Sequence, residues 1–142
     1  MIRNCMVGKP LPVYGDGLQV RDWLHVSDHC SAIYAVLTRG EAGEVYNIGG
    51  SNERTNLEIV RQILASFGLD ETQIQHVKDR PGHDRRYAID SAKLERALGW
   101  KPEIPFERGM EETIAWYRAN TAWLEHVLSG EYTAYYERMY GN

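Results

Sequence analysis

Two arginines and a histidine are the residues of this chain best suited to hold an anion. Arg21 falls on the polar face of an extended segment and Arg80 precedes Pro81-Gly82 in a loop, and each guanidinium could fork two hydrogen bonds onto phosphate oxygens. His83, beside Asp84 in the same loop, could donate a hydrogen bond to such a ligand. Each has a plainer reading: a lone arginine is commonly a surface ion pair, and a loop histidine is commonly just solvated. Nucleophilic and redox chemistry find less support. Cys30 lies next to His29, but adjacency alone supplies no thiol–base geometry. None of the nine tyrosines has a lysine four residues later, the pairing that lowers a phenol's pKa enough for it to act as a base. Ile48-Gly49-Gly50-Ser51 lacks the Gly-x-Gly-x-x-Gly spacing that lets backbone amides approach a dinucleotide pyrophosphate, and a loop joining strand to helix explains it. The residues therefore predict no catalytic, cofactor-binding or metal site within the chain.

The elements that must position these residues read as a small mixed α/β unit. Ile2 to Val7 has the pattern of final helical turns closed by Gly8, with nothing before it to start the helix, so Met1 reads as internal to a longer parent. Pro12-Val13-Tyr14 and Leu18 to Val26 read as two strands of a hairpin around Gly15-Asp16-Gly17. Alternation on the second strand puts Leu18, Val20, Leu24 and Val26 on one face, Gln19, Arg21, Trp23 and His25 on the other, with Asp22 spoiling the apolar side. Ser27 is placed to cap a helix through Arg39 whose apolar stripe is Cys30, Ile33, Tyr34 and Leu37. A short strand follows at Val45 to Ile48.

Thr55-Asn56-Leu57-Glu58 fits a capping box opening a helix with Leu57, Val60, Leu64 and Phe67 inward, ended by Gly68. Ile74 to Val77 reads as a strand and Asp79 to Asp84 as a loop. Ser91 caps a helix stopping at Gly99, and two more helices span Phe106 to Ala119 and Ala122 to Leu128. A tail holding Tyr132, Tyr135, Tyr136 and Tyr140 closes the chain.

With 142 residues and a formal net charge of -4, the chain suits one domain and gives no field that would gather nucleic acid or an anionic membrane. No apolar run approaches the roughly 20 residues needed to cross a bilayer, and no signal peptide opens the chain. Cys5 and Cys30 lack metal-ligand spacing and read as buried thiols of a reducing, cytoplasmic compartment.

Several strings, taken in order, carry a resemblance. They are Gly8-Lys9-Pro10-Leu11-Pro12-Val13-Tyr14-Gly15-Asp16-Gly17, Gln19 to Val26 with Asp28, Tyr46-Asn47-Ile48-Gly49-Gly50, Asp79-Arg80-Pro81-Gly82-His83-Asp84 with Arg86 to Asp90, and Leu98-Gly99-Trp100-Lys101-Pro102. Nearly the whole chain thereby resembles the C-terminal part of extended short-chain dehydrogenases acting on nucleotide sugars. The joint presence of Arg-Pro-Gly-His-Asp and Asn-Ile-Gly-Gly-x-Asn-Glu makes it similar in particular to the dTDP-glucose 4,6-dehydratases.

The resemblance implies that residues 1–142 are a C-terminal nucleotide-sugar-binding domain lacking the N-terminal, NAD-binding Rossmann domain. It implies that Pro12 and Tyr14 line the nucleotide pocket, Arg21 and Arg80 grip the diphosphate from one shared cleft, Asn47 and His83 hydrogen-bond the same region, and Tyr132 closes over the nucleotide. It also implies a dTDP-sugar ligand, NAD in the complete enzyme, and a homodimer. The implied reaction is internal redox: NAD oxidises the sugar at C4, water leaves across C5 and C6, and the hydride returns to C6. The lone chain is then expected to be inactive and to expose an apolar surface where the missing domain would sit. Two other readings stay open, a fragment of a related epimerase or decarboxylase and a non-catalytic nucleotide-sugar-binding remnant.

Overall fold

The computed structural model describes residues 1–130 of the chain, so Tyr132 and the tyrosines after it lie outside the described residues. In chain order the elements are α1 (Ile2–Met6), β1 (Leu11–Tyr14), β2 (Val20–Asp22), α2 (Val26–Arg39), β3 (Glu53–Thr55), α3 (Asn56–Ser66), a 3-10 turn (Glu71–Gln73), β4 (Ile74–Val77), α4 (Ala92–Leu98), α5 (Phe106–Ala119) and α6 (Thr121–Leu128). The class is the mixed α/β that the sequence predicts.

The strands pair differently from the expected hairpin. β1 runs parallel to β4, with Leu11 opposite Ile74 and Tyr14 opposite Val77, while β2 runs antiparallel to β3. The turn itself forms: Gly17 N donates to Tyr14 O at 3.1 Å, and Leu18 N donates to the Asp16 carboxylate. Past the turn, however, Leu57 N and Asn56 N take the carbonyls of Gly17 and Gln19, and Gly15 N donates to Val77 O. Asp22 holds β2 to the far segment by accepting from Gly50 N and Asn52 N, both at 2.8 Å. Asp22 is thus a bridge between segments, and the predicted alternation is reversed at its start, because Gln19 is 2% exposed and Leu18 is 43% exposed.

One core gathers Leu11 and Val13 of β1, Ile59, Val60, Ile63 and Leu64 of α3, and Phe106, Met110 and Ile114 of α5. A second, smaller one holds Ala32 and Ala35 of α2 with Leu94 and Trp100. The capping box at Thr55 is present in full, the Thr55 hydroxyl accepting from Glu58 N and the Glu58 carboxylate accepting from Thr55 N. Thr55→Ala should therefore lower stability by about 1 kcal/mol in denaturant titration, with the slope unchanged.

Other local expectations are corrected. His25, not Ser27, is the N-cap of α2, its Nδ1 accepting from Ser27 N. Ser91 stands at the N-cap of α4 without a side-chain bond, and Asp90 caps instead by accepting from Ala92 N. Val45 to Ile48 is not a strand, since no strand pairs with it among the described residues. The apolar stripe of α2 faces outward: Cys30 is exposed, as are Ile33, Tyr34 and Leu37, the last by 80%. Its small residues, Ala32 and Ala35, allow the close approach to α4, so the opposite face is the one buried. Cys5 is buried as expected, and both cysteines are free thiols.

Candidate functional site

Two buried residues on β1, Leu11 and Val13, push Pro12 and Tyr14 to the exposed side of the strand. The loop after β4 then runs back alongside the end of β1, because β4 is its parallel neighbour. This brings Tyr14, Arg80 and His83 together. The Arg80 guanidinium carbon stands 5.4 Å from the centre of the Tyr14 ring, and the His83 ring meets Tyr14 edge-on at 6.0 Å. Arg80 makes no ion pair or side-chain hydrogen bond among the described residues, so its five N–H donors remain available to an anion.

Joined to these three is an exposed carboxylate that had no predicted role. Asp79 accepts from His83 Nδ1 at 2.6 Å, from Gln19 Nε2 at 2.9 Å and from Arg80 N at 2.8 Å. The His83 imidazole, seconded by the Arg80 amide, holds the Asp79 carboxyl below its ordinary range. Asp16, bonded by Arg85, and Glu58, bonded by Thr55, are lowered in the same way. A carboxyl with a depressed folded pKa contributes stability above its unfolded value and loses it as pH falls through the folded value. The thermal midpoint should therefore fall as pH drops from about 5 through and below the ordinary carboxylate range. Asp79→Asn should shrink that drop, and an identical acid limb in this variant would show that the Asp79 contacts contribute nothing.

Arg21 is placed differently from Arg80. Its Nη1 donates to Val20 O at 2.7 Å and its Nη2 to Asp84 O at 3.0 Å, while the guanidinium lies over Tyr87 at 4.2 Å. Both arginines bear on the 79–84 loop, but Arg21 is committed to backbone carbonyls and fastens the loop to β2. Asn47 is exposed on the extended segment after Tyr46 and makes no hydrogen bond to this group among the described residues. The structure thus joins Tyr14, Arg80 and His83, sets Pro12 two residues away on the same side, attaches Arg21 through Asp84, and leaves Asn47 apart. The missed residues, Asp79 and Gln19, had one legible signal, an Asp and a His four positions apart around Pro81-Gly82.

Gly49 and Gly50 serve packing and do not fit a dinucleotide. A Cβ on Gly50 would meet Trp23 O at 2.5 Å and one on Gly49 would meet Asp22 Oδ2 at 2.7 Å. The Gly50 amide that would approach a pyrophosphate is already bonded to Asp22. A cavity of about 790 Å³ lies elsewhere, between α1, α5 and the segment from Trp23 to Val26, and none of the predicted site residues lines it. Among the described residues no helix is long and apolar enough to cross a membrane, and no His, Cys, Asp or Glu cluster could hold a metal.

With this geometry in view, comparison with known proteins is specific. The GDP-mannose 4,6 dehydratase family model matches residues 1–113. A dTDP-glucose 4,6-dehydratase of Shigella flexneri is 52% identical over 149 aligned positions, which cover 99% of this chain and 41% of that protein. The NAD complex of a dTDP-glucose 4,6-dehydratase from Bacillus anthracis is 54% identical with a TM-score of 0.81, covering 86% of this chain and 39% of that one. Another, from Streptomyces venezuelae with NAD and a dTDP ligand bound, is 47% identical with a TM-score of 0.84, covering 86% and 38%. The chain spans about two fifths of the length of these relatives.

Proposed function

The chain belongs to the GDP-mannose 4,6 dehydratase family, and from that premise we propose that it is the nucleotide-binding portion of an enzyme converting dTDP-glucose to dTDP-4-keto-6-deoxy-glucose. The observation that carries this reading is the unpaired Arg80 standing over Tyr14 beside His83. Arg80 would grip the diphosphate with a fork of charge-assisted bonds, and the ring of Tyr14, a residue 46% exposed, would take the nucleoside. Arg21 would keep the loop in register for that grip, with Pro12 completing the wall. Asn47 and Tyr132 are proposed as further ligand contacts in the complete protein.

NAD and the groups for elimination would belong to a further part of the enzyme, which we propose sits in the cytoplasm as a homodimer. The outward face of α2 supports a covering domain, since Val26, Ile33, Tyr34 and Leu37 together with Val45 present large apolar side chains to solvent. Calorimetric titration of the chain with dTDP and with NAD tests the reading. Heat of binding with dTDP only, and no 4-keto-6-deoxy product from dTDP-glucose, is the expected result. Product formation, or binding of NAD without dTDP, would overturn it.

A further inference from the structure

We propose that Asp79, supported by Gln19, is a positioning residue that fixes His83 with its proton on Nδ1, so that Nε2 meets the ligand as a hydrogen-bond acceptor. This rests on the nucleotide-binding reading of the site and adds the protonation pattern by which the site selects its ligand.

Gln19 is 2% exposed, and its Nε2 donates to Asp79 Oδ2. The Arg80 amide donates to the other oxygen of the same carboxylate. Gln19 Nε2 and the Arg80 amide thus occupy both oxygens with donors, an aspartate is ionised at neutral pH, and an ionised carboxylate can only accept. The 2.6 Å contact to His83 Nδ1 is therefore an Nδ1–H donated to Asp79. Whenever the imidazole is neutral, one nitrogen donates and the other accepts, so the bond at Nδ1 then leaves the lone pair on Nε2.

The imidazole is held as well as protonated. The side chain of His83 is only 5% exposed, and the Tyr14 edge stands against it. Nε2 makes no hydrogen bond, yet the sealed, unpartnered polar atoms among the described residues are Gln19 Oε1, Trp23 Nε1 and Arg54 Nε, so Nε2 keeps access to solvent. The little of the imidazole that remains open thus includes its acceptor. Gly15 makes room for the arrangement, because a Cβ there would stand 2.9 Å from Asp79 Oδ2 at a φ of +56°. Beside the diphosphate grip of Arg80, a lone acceptor suits a ligand hydroxyl or a base imide N–H and disfavours a ligand that offers only acceptors.

Two measurements on the same ¹⁵N-labelled chain test this. Two-bond ¹H–¹⁵N spectra at alkaline pH should show a pyrrole-type Nδ1 and a pyridine-type Nε2 for His83, and Asp79→Asn should convert much of the population to the other tautomer. Saturating dTDP should move the Nε2 resonance. In a double-mutant cycle, Asp79→Asn and His83→Ala should each weaken dTDP binding about tenfold, while the double variant binds no more weakly than His83→Ala alone. A residue that acted only on folding would add its loss to that of His83→Ala. A wild-type Nε2–H tautomer, a ratio unchanged in Asp79→Asn, or full additivity would overturn the proposal. If dTDP moves no resonance anywhere, the nucleotide-binding reading fails, and the tautomer measurement still decides the role of Asp79.

Discussion

Replacing Arg80 with alanine is expected to weaken dTDP binding by roughly ten- to a hundredfold, the equivalent of about 1.5–3 kcal/mol for a charge-assisted hydrogen bond to phosphate. Thermal stability should change little, because the guanidinium has no ion pair to lose among the described residues and merely overlies Tyr14. Arg21 makes an informative contrast. Lysine in its place keeps the charge but not the planar fork that spans Val20 O and Asp84 O, so Arg21→Lys should loosen the loop and lower stability as well as affinity. Calorimetric titration with thermal unfolding of both variants separates the roles. Equal losses of stability in the two would show that Arg80 is structural too.

Leu11→Ala should cost about 2–5 kcal/mol of folding stability, the usual range for emptying a fully buried leucine position. Leu11 is 0% exposed and packs with α3 and α5 in the larger core. Its strand also carries Tyr14, and its neighbour β4 leads into the Asp79 loop, so the same variant should loosen the site. Urea titration should show a lower midpoint with an unchanged slope. A loss below about 1 kcal/mol would mean that the β1–α3 contact is not what anchors the site.

What the sequence made legible depended on how local the cause was. The capping box of α3, the limits of α5 and the left-handed glycines after α3 and α4 follow from interactions within a few residues, and all are found. The hairpin failed because a turn signal fixes the turn but not the partner of the strand leaving it. Here the amides of Gly50 and Asn52, which bond Asp22, and those of α3's first turn, all about thirty residues or more away, decide that partner. The α2 stripe failed for a related reason: apolar spacing marks a face that needs a partner, not whether the described residues contain one.

Among the site residues, Arg80 and His83 were legible by residue type and Tyr14 through resemblance, and the β1–β4 pairing assembles the three. Asp79 and Gln19 were not identified, since a buried glutamine sixty residues from its carboxylate leaves no periodic trace.

The chain is proposed to bind the nucleotide diphosphate at Tyr14, Arg80 and His83 without help from a dinucleotide-binding domain. The most direct measurement is a titration of the ¹⁵N-labelled chain with dTDP, following every assigned amide. Saturable shifts are expected, concentrated at Tyr14 to Gly17, Gln19 to Arg21 and Asp79 to Asp84. Shifts confined to the apolar cavity around Trp23, Phe106 and Met110, or no shift at millimolar dTDP, would contradict it.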